Sequence, residues 1–508
     1  EMTLSNRSIK VRLFITCWLV FMLHFATDVA REHYLVLAIA DEHSFRLDGY
    51  VGLHNDIFVT PDNGAHHGAN PGASMLAAVP YVLAKPAVDA VVDRTKERRV
   101  GGAGPVFNDD RPVRAEFYRK AWQRGLDIKF GLVGLITLAL CMAPLTALSA
   151  VFMYDAFTLV GFSRRLSLAL GVLYAFGTPV FFRTAYLNQN LMVGVFAFIA
   201  FMLLWRPGGR GAGGESIKYL AAGFLGGLAV LSDYSGLVAL ALLGCYALIR
   251  GFESSRFPGA ARGALVFTAG SIGPILMLWF YQYESFGHPF YPPQHFMPHQ
   301  VGSEVGYQGV SWPSAELMRL LLFSPQFGLF VASPFLMLGL AAPFIKRFAV
   351  PVRETVFMLL FFAGYALFFS CIEYTRIQWI TGIRYIVPAV PFLFVLTAAV
   401  LVRLPRPLAY AVAGLALFES WAMSMVRRVD APSEWITSNF TRLFDEGFQL
   451  PWLNTLSRAG IDLGWLGSPL PYFIVSAALI YCVWRVRLPA EKSVTGRSAG
   501  GAHETNPL

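Results

Sequence analysis

The run Thr27-Asp28-Val29-Ala30-Arg31-Glu32-His33-Tyr34 follows directly on an apolar block, so two carboxylates and an imidazole stand together at its edge. A carboxylate so placed removes or orients the proton of a poor nucleophile such as a hydroxyl. Taken alone, Asp28 serves equally well as an interfacial cap, and Glu32 and His33 are expected to face solvent. Further on come Leu53-His54-Asn55-Asp56-Ile57-Phe58 and a turn-rich stretch that contains His66 and His67. His54, Asp56, His66 and His67 are metal-ligating types, but adjacent histidines lack the helical spacing of a ligand pair. A divalent metal is therefore the minor reading, and no metal site is assigned. Other polar residues gather at the ends of later apolar blocks: Arg183, Asn188, Gln189 and Asn190, then Asp233, then Arg376 and Arg384. His288 and Tyr291 belong to a long aromatic-rich stretch, 283–326. Ionisable groups near a membrane mark substrate or ion paths, whereas Trp and Tyr there usually form an interface belt.

The elements that position these groups are apolar blocks. Of 508 residues 55% are hydrophobic and 14% charged, where a soluble domain carries roughly a quarter charged residues, and the mean hydropathy is +0.51. A representative block, 130–157, is too long for a buried strand and lacks the alternation of a membrane barrel. A helix needs about 20 such residues to cross a bilayer, so a helical, polytopic membrane protein is expected. The first block, 13–26, is followed by Asp28, Arg31 and Glu32 instead of a cleavage site; it reads as an uncleaved first span. The five cysteines are scattered through apolar blocks without paired spacing and carry no disulfide or metal signal. The net charge of +9 comes from basic residues at block ends, a membrane pattern that excludes a nucleic-acid patch.

Basic clusters mark the start (Arg7, Lys10, Arg12), then Arg164 and Arg165, then Arg206 to Lys218, Arg250 to Arg262, Lys346 to Arg353, Arg403 and Arg406, and the tail. Two apolar spans separate each cluster from the next. The positive-inside rule places these loops in the cytoplasm, giving about twelve spans with both termini inside. The expected organisation is a first span within 1–28, a first outer loop 29–129, a bundle 130–425, a late outer loop 426–469, and a last span with its tail in 470–508. One segment breaks the rule. The stretch 89–129 is rich in Arg and Lys, from Arg94 to Lys129, yet falls outside. Making 71–92 a span would invert every later loop. It is therefore expected to lie at the outer interface, which suits its Pro71, Pro80, Lys85 and Pro86.

Asp28 with Glu32-His33-Tyr34, and the later Asn70-Pro71-Gly72-Ala73-Ser74, resemble the first outer loop of GT-C fold glycosyltransferases, among them protein O-mannosyltransferases and aminoarabinose transferases. Tyr174-Ala175-Phe176-Gly177-Thr178-Pro179 and Phe323-Ser324-Pro325-Gln326-Phe327-Gly328 are similar to later segments of that family. Gly382-Ile383-Arg384-Tyr385-Ile386-Val387-Pro388 looks like its G-x-R-Y-x-x-P segment. The resemblance implies an all-α GT-C-like fold with about twelve transmembrane helices and interfacial helices in the first outer loop. It implies transfer of a sugar from a polyprenyl-phosphate carrier to a protein, lipid or glycan acceptor, outside a bacterial cytoplasmic membrane. The implied base is Asp28, with Asp56 or Glu32 as alternatives, and the carrier phosphate falls to Arg384, with Arg376 and Arg183 as candidates. Substrate contacts fall to His33, Tyr34, His54, Asn188, Asn190, Asp233, His288 and Tyr291. The basic stretch 94–129 has no counterpart in the resemblance. A transporter or flippase would instead show mid-span charges, of which Glu419 is the best candidate; a polymerase or ligase would show one dominant late outer loop.

Overall fold

The computed structural model describes residues 5–99, 112–205, 212–299, 302–376, 378, 383–426 and 435–486. The chain is an all-α, polytopic membrane protein. Helix α1 (Asn6–Leu23) starts at Ser5, whose hydroxyl accepts from the Ser8 amide and satisfies one of the open donors of a first turn. It runs antiparallel to a continuous rod made of α5 (Asp127–Thr137), a π turn over Leu138–Met142, and α6 (Ala143–Leu159). Three contacts set that register. Tyr154 donates to Asn6 Oδ1 at 3.0 Å, Trp18 Nε1 donates to the Ala139 carbonyl at 2.7 Å, and the Phe25 ring packs on Gly134.

Among the described residues, five helices are long and apolar enough to cross a membrane: Gly72–Glu97, Asp127–Leu159, Gly236–Phe286, Val352–Ser370 and Arg406–Met425. Shorter apolar helices are Gln189–Trp205, Pro334–Phe344, Val387–Leu401 and Leu470–Arg485. The long helix Gly236–Phe286 is broken at Ser255 and Arg256, where Arg256 takes φ 53, and so forms two antiparallel-capable rods. Each apolar block expected to span carries helix. Glycine permits one close approach: a Cβ on Gly223 would stand 1.8 Å from the Phe267 carbonyl oxygen.

The first loop departs from expectation in two ways. Helix α2 (Arg31–Leu37) is buried on nearly every side, and the π turn behind it buries Ala38 and Ala40. Glu32 is 5% and His33 0% exposed, not solvent-facing. The cause is packing: α3 (Gly72–Arg99) and α5 close over the start of α2. Ser74 donates to the Glu32 carbonyl at 2.9 Å, and His33 Nε2 meets Thr137 Oγ1 at 3.1 Å. The second departure is a hairpin, β1 (Ile57–Thr60) with β2 (Gly64–His67), closed by a three-residue loop. Gly64, at φ +80, supplies the left-handed residue that such a loop requires.

The basic stretch is tied into this loop. Lys85 of α3 pairs with Asp41 at 3.0 Å and with Asp89 at 2.6 Å, and Lys129 reaches the other oxygen of Asp41 at 2.6 Å. At the end of α4 (Pro112–Gln123), Arg124 donates to the Gly49 and Val51 carbonyls. Arg111 lies outside the described residues.

Candidate functional site

The site is assembled from the start of α2, the approach to β1, the end of β2 and the turn at 383–385. Arg31 is its centre. Its Nη1 stands 2.9 Å from Asp56 Oδ2, and its Nε 3.2 Å from Glu32 Oε1. Glu32 sits in the first turn of α2, where the helix's open amides favour negative charge. Asp56 immediately precedes β1, and its own amide donates to His54 Nδ1 at 3.0 Å. His67 ends β2, in register with Ile57, and is fully buried. Arg384 is drawn in from more than three hundred residues away. Its charge acts on Glu32, Asp56 and His54, and Tyr385 acts on Arg31.

Electrostatics fixes the charge states of this cluster. Burial alone would raise the Asp56 carboxyl, but Arg31, His54 and Arg384 override it and hold it at about 2. Glu32 follows the same logic: burial opposes, Arg31 prevails, and the group lies below the usual carboxylate range. Burial pushes His33 and His67 each down to about 4, and Arg31 adds to the effect on His67. His54 is lowered by burial as well. At neutral pH the acids are charged and the imidazoles neutral.

Asp28 lies one turn before this cluster and within its field, acting on His33. Arg114 of α4 donates to its Oδ1 at 2.9 Å, with side chains 16% and 21% exposed. The Ala26 amide donates to the Ala185 carbonyl at 2.9 Å, which brings the 183–190 loop beside Asp28. In that loop Arg183 is buried with its guanidinium over the Tyr186 ring. Asn188 Oδ1 accepts from the Leu191 amide, and Gln189 donates to Asp233 Oδ2 at 2.8 Å. Asp233 Oδ1 also accepts from the Ser235 amide, so Asn188 and Asp233 both cap turns. Asn190 is 2% exposed.

The remaining expected residues stand elsewhere. Tyr34 is buried against Tyr50 and Phe130 and donates to the Leu53 carbonyl. Arg376 pairs with Glu316 and Glu373 on an exposed surface. His288 and Tyr291 join an aromatic patch in which Tyr291 stacks on His295 at 4.6 Å. That patch leans on the hairpin, since Gln294 donates to the Gly68 carbonyl. Among the described residues no group of three or more His, Cys, Asp or Glu is arranged to hold a metal. Successive strand residues face opposite sides. His66 accordingly turns to the Asn63 carbonyl and the Phe286 ring, and His67 toward the cluster.

Arg31 and Arg114 were not singled out from sequence, and His67 was weighed only as a metal-ligating type. Arg31 carried one signal, its position between Asp28 and Glu32. No family model and no curated protein matches the chain. Among solved structures it is similar to ArnT from Cupriavidus metallidurans bound to undecaprenyl phosphate. The identity is 16%, the match covers 97% of this chain and 78% of that one, and the TM-score is 0.46.

Proposed function

We propose that the chain is a GT-C-type membrane glycosyltransferase that moves a sugar from a polyprenyl-phosphate carrier to an acceptor hydroxyl, on the outer face of a bacterial cytoplasmic membrane. The observation that carries this reading is that Arg384, from the G-x-R-Y-x-x-P segment, lies near enough for its charge to act on the first-loop acids Glu32 and Asp56, which Arg31 bridges. Asp28, at the end of the first span, acts as general base on the acceptor hydroxyl. Arg114 holds its orientation through the 2.9 Å pair. As the bond from the sugar's anomeric carbon to the phosphate oxygen breaks, Arg384 takes up the charge developing on the leaving phosphate. A guanidinium suits this because its planar fork matches a phosphate's two oxygens. Glu32 and Asp56 are fixed and ionised by Arg31, and accept from sugar hydroxyls. The prenyl chain stays among the apolar spans.

The outer placement of the first loop draws support from its pairing pattern. Arg114, Arg124 and Lys129 all engage residues between Asp28 and Val51, so they share a side with Asp28. The acceptor class, whether protein, lipid or glycan, is open to the same assay. Purified protein is incubated with radiolabelled polyprenyl-phosphate sugars and transfer to each acceptor class is measured. Asp28→Asn is expected to abolish transfer while leaving membrane insertion intact; normal transfer by that variant removes Asp28 as the base.

A further inference from the structure

His67 holds a polar atom that the fold does not satisfy. The Ala69 amide donates to its Nδ1 at 3.0 Å, so that nitrogen is an acceptor, and in the neutral ring the proton resides on Nε2. The side chain is 0% exposed, and among the described residues Nε2 has no hydrogen-bond partner. A buried N–H left without an acceptor is destabilising, and a ligand atom that accepts from it removes that cost.

The surroundings select the ligand. Arg31, Glu32, Asp56 and His54 are the charged and titratable groups whose fields reach this ring. Arg384 lies in the same cluster, acting on Glu32 and Asp56. Both carboxylates are already paired with Arg31, so the site as a whole is near neutral and the uncharged N–H offers a single donor of the kind a hydroxyl lone pair accepts. A hydroxyl donates its proton to one carboxylate oxygen and accepts from Nε2–H with a lone pair. A phosphate has no proton to give, and Arg384 serves it better. We propose that His67 is a substrate-binding residue whose Nε2–H donates to a hydroxyl of the carrier-linked sugar, the same hydroxyl that donates to Glu32 or Asp56.

This rests on the glycosyltransferase reading, and the test separates the two. Full-length protein in detergent is titrated with undecaprenyl phosphate, then with undecaprenyl-phosphoryl mannose, glucose and arabinose, following intrinsic fluorescence. If the wild type binds none of these lipids, the function reading fails. If it prefers at least one sugar-bearing lipid over the sugar-free one, the variants decide. His67→Asn keeps an acceptor where Nδ1 stood, preserving the Ala69 contact, and deletes the distal donor. His67→Gln restores a donor at the Nε2 position. His67→Asn is expected to lose about five- to tenfold of the preference for the sugar-bearing lipid, the range of one neutral hydrogen bond. Its affinity for undecaprenyl phosphate is expected to stay the same, and His67→Gln to recover part of the preference. Undiminished preference in His67→Asn overturns the proposal. So does a variant that keeps the preference yet loses transfer, which would move the hydroxyl to the acceptor.

Discussion

Replacing Arg31 by methionine tests the logic of the cluster most severely. The substitution keeps a long apolar stem and removes the cation that, among the described residues, contacts both Glu32 and Asp56. Asp56 is held at about 2 against an ordinary 3.8, a difference of nearly two pH units. At about 1.4 kcal/mol per unit, that is about 2.5 kcal/mol of stabilisation of the charged form, net of burial. Glu32, enclosed and also lowered, adds to it, so the loss at pH 7.5 is expected near the ~3–5 kcal/mol of a broken buried pair. The sign with pH is the sharper readout. In the wild type, stability from these depressed groups is full above the unfolded carboxylate range and lost as pH falls toward 2. In Arg31→Met, burial dominates and lifts both carboxyls above that range. A raised acid stabilises the fold below its unfolded pKa, and that contribution is lost as pH rises. The gap between wild type and variant should therefore narrow from pH 7.5 to 4.5. Denaturant unfolding of the detergent-solubilised protein, followed by tryptophan fluorescence across this interval, measures it. A gap that is constant, or that widens toward acid, refutes the bridging role of Arg31.

Arg384→Ala should weaken binding of undecaprenyl phosphate while leaving the unfolding midpoint near that of the wild type, because its side chain is only partly buried; unchanged carrier affinity in an equilibrium binding assay would give Arg384 another role. The outer placement of 112–129 is open to thiol labelling. Lys120 is half-exposed on α4, so Lys120→Cys, with Cys245, Cys371 and Cys482 changed to serine, should react with a membrane-impermeant maleimide added to intact cells. Labelling only after permeabilisation would put the segment in the cytoplasm.

The spans were legible because a bilayer demands a long apolar run and permits little else. Every block expected to cross carries helix. The G-x-R-Y-x-x-P resemblance singled out Arg384, whose charge acts on Asp56 in the fold. The burial of Glu32 and His33 was not, since it depends on α3 and α5 closing over α2 from positions forty and a hundred residues away. Arg31 escaped notice for a related reason. Its neighbour Glu32 was visible, but its meaning comes from Asp56, beyond a π turn and a loop. The hairpin left a turn signal in Asp62-Asn63-Gly64, yet its second strand, Gly-Ala-His-His, lacks the β-branched residues that announce a strand. Asn188 and Asp233 cap turns, a role that sequence cannot separate from substrate binding because both use the same side chains.

The outer placement proposed for the basic stretch runs against the positive-inside rule. Lys and Arg near a span retain a loop in the cytoplasm, but the rule holds for loops up to about 60 residues and weakens for long ones, which cross largely regardless of charge. The segment from Asp28 to Lys129 exceeds that length. Its cations are moreover engaged: Lys85 and Lys129 converge on Asp41, Arg114 on Asp28, and Lys120 on Glu116. Moving the stretch inside would break the first three of these pairs and strand Asp28 and Asp41 without their cations. Leaving it outside requires only that α3 lie along the interface. Its exposed Val79, Val82 and Leu83 provide the apolar face for that position, and its Pro80 and Pro86 argue against a straight crossing. With the stretch outside, as proposed, Arg114 holds Asp28 in place beside the Arg31 cluster.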